Sequence, residues 1–221
     1  MNTRYIPLMT LAVLGLAGCS ASMPALQNTT APAADATIPA PPAPAPVTLD
    51  SNSSALLVLD MNVSSCTPRP PCMGTVSAVA SLIKKARDSK VPVIHSTYGT
   101  PNGPAPTIKE LPPQAGEPTV NASADKFIGT NLEDLLKQRK ATTLVIVGTA
   151  ANGAVLYTAF HANVLGYTVV VADDGISSTA PIQTALARYQ VLNQAGYPNA
   201  ANKPLAARAV TLSRGDLITF K

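Results

Sequence analysis

The stretch LVIVGTAANGAVLYTA, Leu144 to Ala159, decides the fold. Leu144 to Val147 form an unbroken apolar run, the pattern of a strand buried on both faces rather than one with a solvated side. Gly148 and the small residues after it make a turn. From Asn152 the chain reads as a helix as far as Leu165, with Gly166 as its stop. A strand that turns directly into a helix leaves the amides of Asn152, Gly153 and Ala154 unpaired at the helix start. Such N–H groups favour an anion or a developing oxyanion.

The same unit recurs on either side. Ala55 to Asp60 (ALLVLD) is an apolar run closed by a carboxylate, followed by a helix in which Val76, Val79, Ile83 and Ala86 share a face and Thr75 stands at the start. Val91 to His95 predicts a second short strand. Thr130 and Glu133 have capping-box spacing ahead of Leu132, Leu135 and Leu136. Tyr167 to Ala172 predicts a strand ending at Asp173-Asp174. A helix follows from Pro181, and Ala209 to Leu212 give a last strand. Alternation of this kind implies βαβ crossovers: an α/β, three-layer, doubly wound and mostly parallel sheet with helices on both faces. Ligands in such sheets bind beyond the carboxyl ends of the strands, which gathers Asp60, His95, Gly148 and Asp173/Asp174 toward one rim. Ser96 to Ala124 is rich in Gly and Pro without periodicity and is expected to fold over the sheet as a cover or contact surface.

The 221 residues are 46% hydrophobic and 13% charged with a formal net charge of +4, and no basic stripe or stacking platform accompanies that charge. Nucleic acid is therefore not an expected partner. Residues 1–18 carry Arg4 and then a mostly apolar run from Ile6 to Ala17, too short for a comfortable bilayer span, and read as a signal peptide. Residues 19–46 contain nine Ala and seven Pro between Ser20 and Pro46, with Asp35 the only charge, and read as a semi-extended tether. The chemistry is then expected in residues 47–221. Leu16-Ala17-Gly18-Cys19 resembles a bacterial lipobox, which implies cleavage before Cys19 and a lipid anchor on it. Ser20 resembles the outer-membrane sorting pattern, so the expected location is the cell envelope, facing the periplasm. Cys66 and Cys72 enclose Thr-Pro-Arg-Pro-Pro and, in an exported protein, are read first as a disulfide. A reactive Cys66 is the alternative. His95 and His161, the only histidines, are too widely separated to suggest a metal triad, and neither metal nor cofactor is expected.

Taken together, ALLVLDMN (residues 55–62), DKFIGTNLEDLL (125–136), LVIVGTAANGAVLYTA (144–159) and GYTVVVADDG (166–175) resemble the isochorismatase-like (cysteine hydrolase) superfamily from Ala55 to the end of the chain. The resemblance implies a doubly wound fold, an Asp–Lys–Cys constellation and a non-proline cis peptide before the nucleophile, here nearest Thr149-Ala150. Asp60 matches the aspartate. Lys126 is the nearest match to the lysine, although it directly precedes Phe127 instead of standing five or six positions before it. Ala154 stands where the nucleophilic cysteine is expected, and a methyl group attacks nothing. Isochorismatases proper resemble this condition, because they hydrolyse a vinyl ether with the aspartate as general acid and need no thiolate.

The expectation is an Asp-assisted hydrolase of a small, anionic molecule. Asp60 and Lys126 are its catalytic pair, and Thr149, Ala150, Asn152, Gly153, Ala154 and His95 line the oxyanion or ligand site. A non-catalytic binding or interaction lipoprotein on the same fold is the rival, and an amide hydrolase using water or Cys66 is a third reading. The expected partners are a small-molecule ligand and, through Cys19, a membrane. Self-association is left open.

Overall fold

The computed structural model describes residues 37–221, which form one compact unit. The predicted signal peptide, Cys19 and the first part of the predicted tether lie outside the described residues. Residues 37–46, assigned to the tether from the sequence, are among the described residues of this unit. The Pro-rich chain is captured through its carbonyls: Asn202 Nδ2 donates to Ala43 O at 3.0 Å, and Ser213 Oγ donates to Ala45 O at 2.7 Å. Proline removes donors but leaves every carbonyl free to accept, and the intervening Ala45 N–H also donates to Leu212 O at 2.9 Å.

Strand β1 (Val47–Leu49) pairs in parallel with β10 (Ile218–Phe220) as a small sheet that holds the two ends together. The main sheet contains β2 (Ser54–Leu59), β3 (Val93–Thr97), β6 (Thr119–Asn121), β7 (Thr143–Thr149), β8 (Thr168–Ser177) and β9 (Val210–Ser213). Its order is β6-β3-β2-β7-β8-β9, and every pairing is parallel. The chain runs outward from β2 to β3 to β6, then returns to lay β7 on the other side of β2. That reversal makes the β2/β7 boundary the switch point, where the diverging connections leave a crevice.

Alternation along the strands sorts the core into two layers. Leu56 and Val58 pack with Val79, Leu82 and Ile83 of α2 (Val76–Asp88) on one face. Leu57 and Leu59 pack on the other with residues of α3 (Leu132–Gln138), α4 (Leu156–Val164) and α5 (Pro181–Leu192). A four-residue helix α1 (Pro70–Met73) follows the loop after β2. The three-layer α/β arrangement is therefore the observed one.

Four local expectations are corrected. The segment 96–124 is not only a cover: it contains the hairpin β4 (Gly99–Thr100) and β5 (Gly103–Pro104) and then contributes β6 as the sheet's edge. A three-residue strand is too short to show a period. Strand β8 does not end at Asp173 but continues to Ser177 through a register shift against β7. The capping box at Thr130 and Glu133 does not form as expected. Thr130 Oγ1 accepts from Leu132 N at 3.1 Å, while the Glu133 carboxylate turns along the helix to Lys137 at 2.6 Å. Thr75 precedes α2 but donates its hydroxyl to Cys72 O at 2.8 Å, so it does not cap α2 through its side chain.

Gly148 is what allows the switch point to close. It adopts φ +126°, and a Cβ there would lie 2.0 Å from Leu59 O. Only glycine tolerates both that backbone conformation and that approach. The ends of β2 and β7, paired at Leu59 and Gly148, are thus brought together just before Asp60 and Thr149.

Candidate active site

Asp60 is the first residue beyond β2 and sits in the left-handed region at φ 51°, a conformation that Asp tolerates better than most non-glycine residues. Its backbone N–H reaches both Ser96 O and Ser96 Oγ at 3.2 Å. The Ser96 hydroxyl in turn donates to Asp60 Oδ1 at 2.9 Å. Lys126 Nζ lies 2.8 Å from Asp60 Oδ2. The ammonium also donates to Ala122 O at 2.9 Å and Ser123 O at 2.5 Å, so each of its three N–H bonds has an oxygen partner. Lys126 has no exposed surface, and Asp60 retains 5%. Burial pushes the Asp60 carboxyl above the ordinary aspartate range, and the attraction and hydrogen bonds of Lys126 and Ser96 only partly offset that rise.

The loop carrying Lys126 is tied to the helix layer. Lys126 N donates to Thr158 Oγ1 at 3.1 Å, Asp125 Oδ2 meets His161 Nδ1 at 2.7 Å, and the Phe127 ring lies tilted against the His161 ring with centroids 5.0 Å apart. Thr130 Oγ1 closes the loop by donating to Lys126 O at 2.6 Å. Thr158 and His161 follow Ala154 by four and seven residues, so one helical face orients the lysine loop.

At the end of β7, the Thr149–Ala150 peptide bond is cis. Thr149 Oγ1 donates to Ser177 O at 3.1 Å. The next residues, Ala151–Val155, form a π-helical turn leading into α4. Two of the amides expected to await an anion are already engaged. Gly153 N donates to Ala150 O at 3.0 Å and Asn152 N to Ser178 Oγ at 3.3 Å, and that hydroxyl donates back to Asn152 Oδ1 at 2.8 Å. Ala154 is buried and packs in the same apolar cluster as Leu59, Phe127 and Ile176.

The structure thus brings Asp60 and Lys126 together and sets Thr149, Ala150, Asn152, Gly153 and Ala154 on the adjoining strand–helix turn. It does not bring His95 to them. Neighbouring residues of a strand face opposite ways, and since Ser96 points to Asp60, His95 lies on the α2 side. There His95 Nε2 is 3.0 Å from Glu117 Oε2, and Arg87 grips both oxygens of Glu117 at 2.7 and 2.8 Å. Asp173 and Asp174 also stay apart from the pair: Asp173 meets Arg188, and Asp174 Oδ1 accepts from Gly215 N at 2.9 Å. Cys66 and Cys72 form a disulfide, so Cys66 offers no thiolate and the amidase reading through it is withdrawn. Among the described residues no group of three or more His, Cys, Asp or Glu side chains gathers as a metal site.

Ser96 and Ser178 were not singled out from the sequence, and Thr158, four residues after Ala154, was read there as helix packing rather than as a partner of the lysine loop. A signal existed for Ser96, as a hydroxyl in an apolar strand beside the one that ends in Asp60. Ser178 depends on loop packing that no local pattern encodes.

Residues 54–198 match the family model described as the isochorismatase domain. A secreted isochorismatase effector of Verticillium dahliae is 31% identical over 108 residues, covering 44% of this chain. The match spans only 57% of that relative's length. Among solved structures, a cysteine hydrolase from Pseudomonas syringae superposes with a TM-score of 0.65 at 18% identity, covering 76% of this chain and 91% of the other. N-carbamoylsarcosine amidase from Thermoplasma acidophilum superposes with a TM-score of 0.61 at 22% identity, covering 74% and 97%. At these identities the two structures speak for the fold alone.

Two stability predictions follow from the charges. Burial would raise the Glu117 carboxyl, but hydrogen bonds from Arg87, the Gln114 amide and His95 outweigh it and hold Glu117 at about 2 against an ordinary 4.5. A depressed carboxyl stabilises the fold above its unfolded value, and that contribution is lost as pH falls from 4.5 toward about 2. Urea unfolding of Glu117→Gln is expected to show lower stability at neutral pH and a shallower loss across that acid window than wild type. Lys126→Met leaves the buried Asp60 carboxylate without its cation and is expected to cost about 3 kcal/mol at neutral pH. The loss should shrink as the medium is acidified, because a carboxyl whose proton affinity is raised is stabilising only while protonated. Adding Asp60→Asn should recover much of it at neutral pH.

Proposed function

The chain belongs to the isochorismatase domain family of hydrolases, and from that premise we propose that it hydrolyses an enol ether of a small carboxylated molecule by proton donation from Asp60. The carrying observation is the buried Asp60 carboxyl, raised by its surroundings and held on both oxygens by Lys126 and Ser96, next to a helix start where Ala154 offers only a methyl. A raised carboxyl is suited to general acid work at a pH where an exposed aspartate would already be ionised. Ala154 corresponds to the cysteine position of the wider superfamily, and its side chain cannot form an acyl- or thioester-type intermediate.

In the proposed reaction, the Asp60 proton passes to the terminal vinyl carbon, and positive charge develops on the ether carbon and oxygen. Water adds to that carbon, and the resulting hemiketal collapses by cleavage of the bond between that carbon and the ether oxygen, its hydroxyl proton passing to the leaving oxygen, so that the products are a keto acid and an alcohol. The proton released by water returns to the carboxylate, so the enzyme is regenerated. Lys126 and Ser96 hold the Asp60 carboxyl in place, while the Thr149–Ala154 turn borders the reacting group.

The name of the fungal relative points to isochorismate as the first substrate to offer. Keto acid release by the full chain is expected to fall by a factor of about 100 or more in Asp60→Asn, the scale of a lost general acid. The wild-type rate should decline as pH rises through the raised Asp60 value, with its inflection above that of an ordinary aspartate. Turnover unchanged by the substitution removes Asp60 from the chemistry.

One observation favours a second reading, a non-catalytic binding domain: Lys126 is wholly enclosed, with all three N–H bonds used inside the protein. Wild-type protein that binds isochorismate without releasing keto acid would support it.

The proposed location is the bacterial cell envelope, with a lipid on Cys19. Incorporation of labelled fatty acid into the full chain, lost in Cys19→Ala, is the expected result. Equal labelling of both would discard the anchor.

A further inference from the structure

Because every strand of the main sheet runs the same way, the loops that enter the strands lie on one rim, opposite the rim that holds Asp60. Exposed cations from three separate stretches of sequence meet there: Lys90 ahead of β3, Arg139 and Lys140 ahead of β7, and Arg208 ahead of β9. With neighbouring strands about 4.8 Å apart, they spread over about 20 Å from β3 to β9. None of the four forms a salt bridge among the described residues. The acids nearby are already engaged. Asp88 pairs with Lys84, Glu133 with Lys137, and Asp50 accepts from Asn52 N at 2.9 Å and Ser53 Oγ at 3.0 Å. Local backbone demands do not call for these cations. Lys90, Lys140 and Arg208 all take the left-handed region, at φ 59°, 53° and 53°, where Gly or Asn is the easier residue. Helix dipoles favour a cation at the ends of α2 and α3, but Arg87 and Lys137 already stand in those last turns.

We propose that this rim is a membrane-contact surface that binds the headgroups of an anionic phospholipid bilayer and holds the Asp60 rim on the side away from it. A second observation selects a bilayer over other polyanions: the described chain enters the unit at the same rim. Helix α5 descends from the carboxyl end of β8 and ends at Leu192, toward the amino end of β9, and Pro39 to Pro42 share a cleft with Leu192 and Asn193. From there the chain rises beside β9, its Ala43 and Ala45 carbonyls held by Asn202 and Ser213. The choice of bilayer thus rests on the anchor proposed at Cys19, which would bring this rim to the lipid. A cationic surface beside an acyl chain is the second signal that lipid attachment uses. Leu165, 39% exposed ahead of β8, stands between Lys140 and Arg208 and adds an apolar contact at headgroup level.

The test is co-sedimentation of the full chain carrying Cys19→Ser, which has no lipid of its own, with vesicles of phosphatidylglycerol mixed into phosphatidylcholine and with vesicles of phosphatidylcholine alone. The apolar stretch from Ile6 to Ala17 is common to every variant, so its contribution is read on the neutral vesicles. The expected result is tighter binding to the anionic vesicles, weakening as salt is raised. Lys90→Asn and Lys140→Asn should each weaken it about fivefold, the share of one cation near an anionic surface. Asn suits the left-handed backbone at both positions, so these variants keep the fold, and urea unfolding checks that they do. Lys109→Asn removes an equal charge from the exposed segment at the Asp60 rim and should leave binding unchanged. Equal binding to both vesicles overturns the proposal. So does anionic-vesicle binding that survives the double substitution at Lys90 and Lys140, or that falls as much with Lys109→Asn. Because the protein tested carries no lipid, these outcomes are independent of whether Cys19 is acylated, and fatty-acid labelling judges the anchor separately.

Discussion

The contact between Asp60 and Lys126 is the constraint around which the functional end of the molecule is organised. Removing two opposite charges from water costs several kcal/mol for each, and mutual attraction repays this only when every remaining hydrogen-bonding position is filled. Here that condition is met. The ammonium has three oxygens and the carboxylate has a donor on each oxygen. Two of the ammonium's partners, Ala122 O and Ser123 O, belong to its own loop, so the cation is caged locally and Asp60 is its contact with the sheet. One ion pair therefore registers the loop to the end of β2, while Thr158 and His161 register it to α4.

That arrangement depends on the topology of the sheet. The chain reverses between β2 and β7, and the two strand ends approach closely because Gly148 has no Cβ to strike Leu59 O. Asp60 then leaves its strand in a left-handed turn, and Thr149 leaves the neighbouring strand into a π-helical start. Acid, ammonium and helix start meet at one point because the switch point forces both connections outward there.

The interior strands were legible because burial on both faces writes itself as continuous Leu, Ile and Val, and Asp60 was legible as a carboxylate where such a run stops. The Cys66–Cys72 disulfide was legible once export was taken as the expectation. What escaped depends on distant partners. His95 closes a predicted strand just as Asp60 does, yet the two-residue period sends it to Glu117 and Arg87 while Ser96 turns to the carboxylate. A one-residue uncertainty in where β3 runs is enough to exchange them. Asp173 and Asp174 looked like a strand end, because two carboxylates in a row rarely continue a buried strand. Arg188 and the Gly215 amide neutralise that penalty from elements far along the chain. Strand β6 takes its place from its pairing with β3 and the packing of Val120, and three residues carry no signature of that.

The burial that raises the proton affinity of Asp60 also sets the terms of access to it. A carboxyl open to water would fall back toward the ordinary aspartate range, whereas a completely closed one would meet no ligand. Strands β2, β3 and β7 cannot yield, because each is hydrogen-bonded on both sides within the sheet. The loop 122–130 is held differently. The bonds from Lys126 Nζ to Ala122 O and Ser123 O and from Thr130 to Lys126 O lie within it, and it is joined to the rest by the Ala122 N–H on Thr97 O, by the packing of Phe127 in the core and by the contacts of Lys126 with Asp60 and Thr158 and of Asp125 with His161. The Asp60–Lys126 attraction is thus one of the few ties that set how tightly this loop lies over the acid.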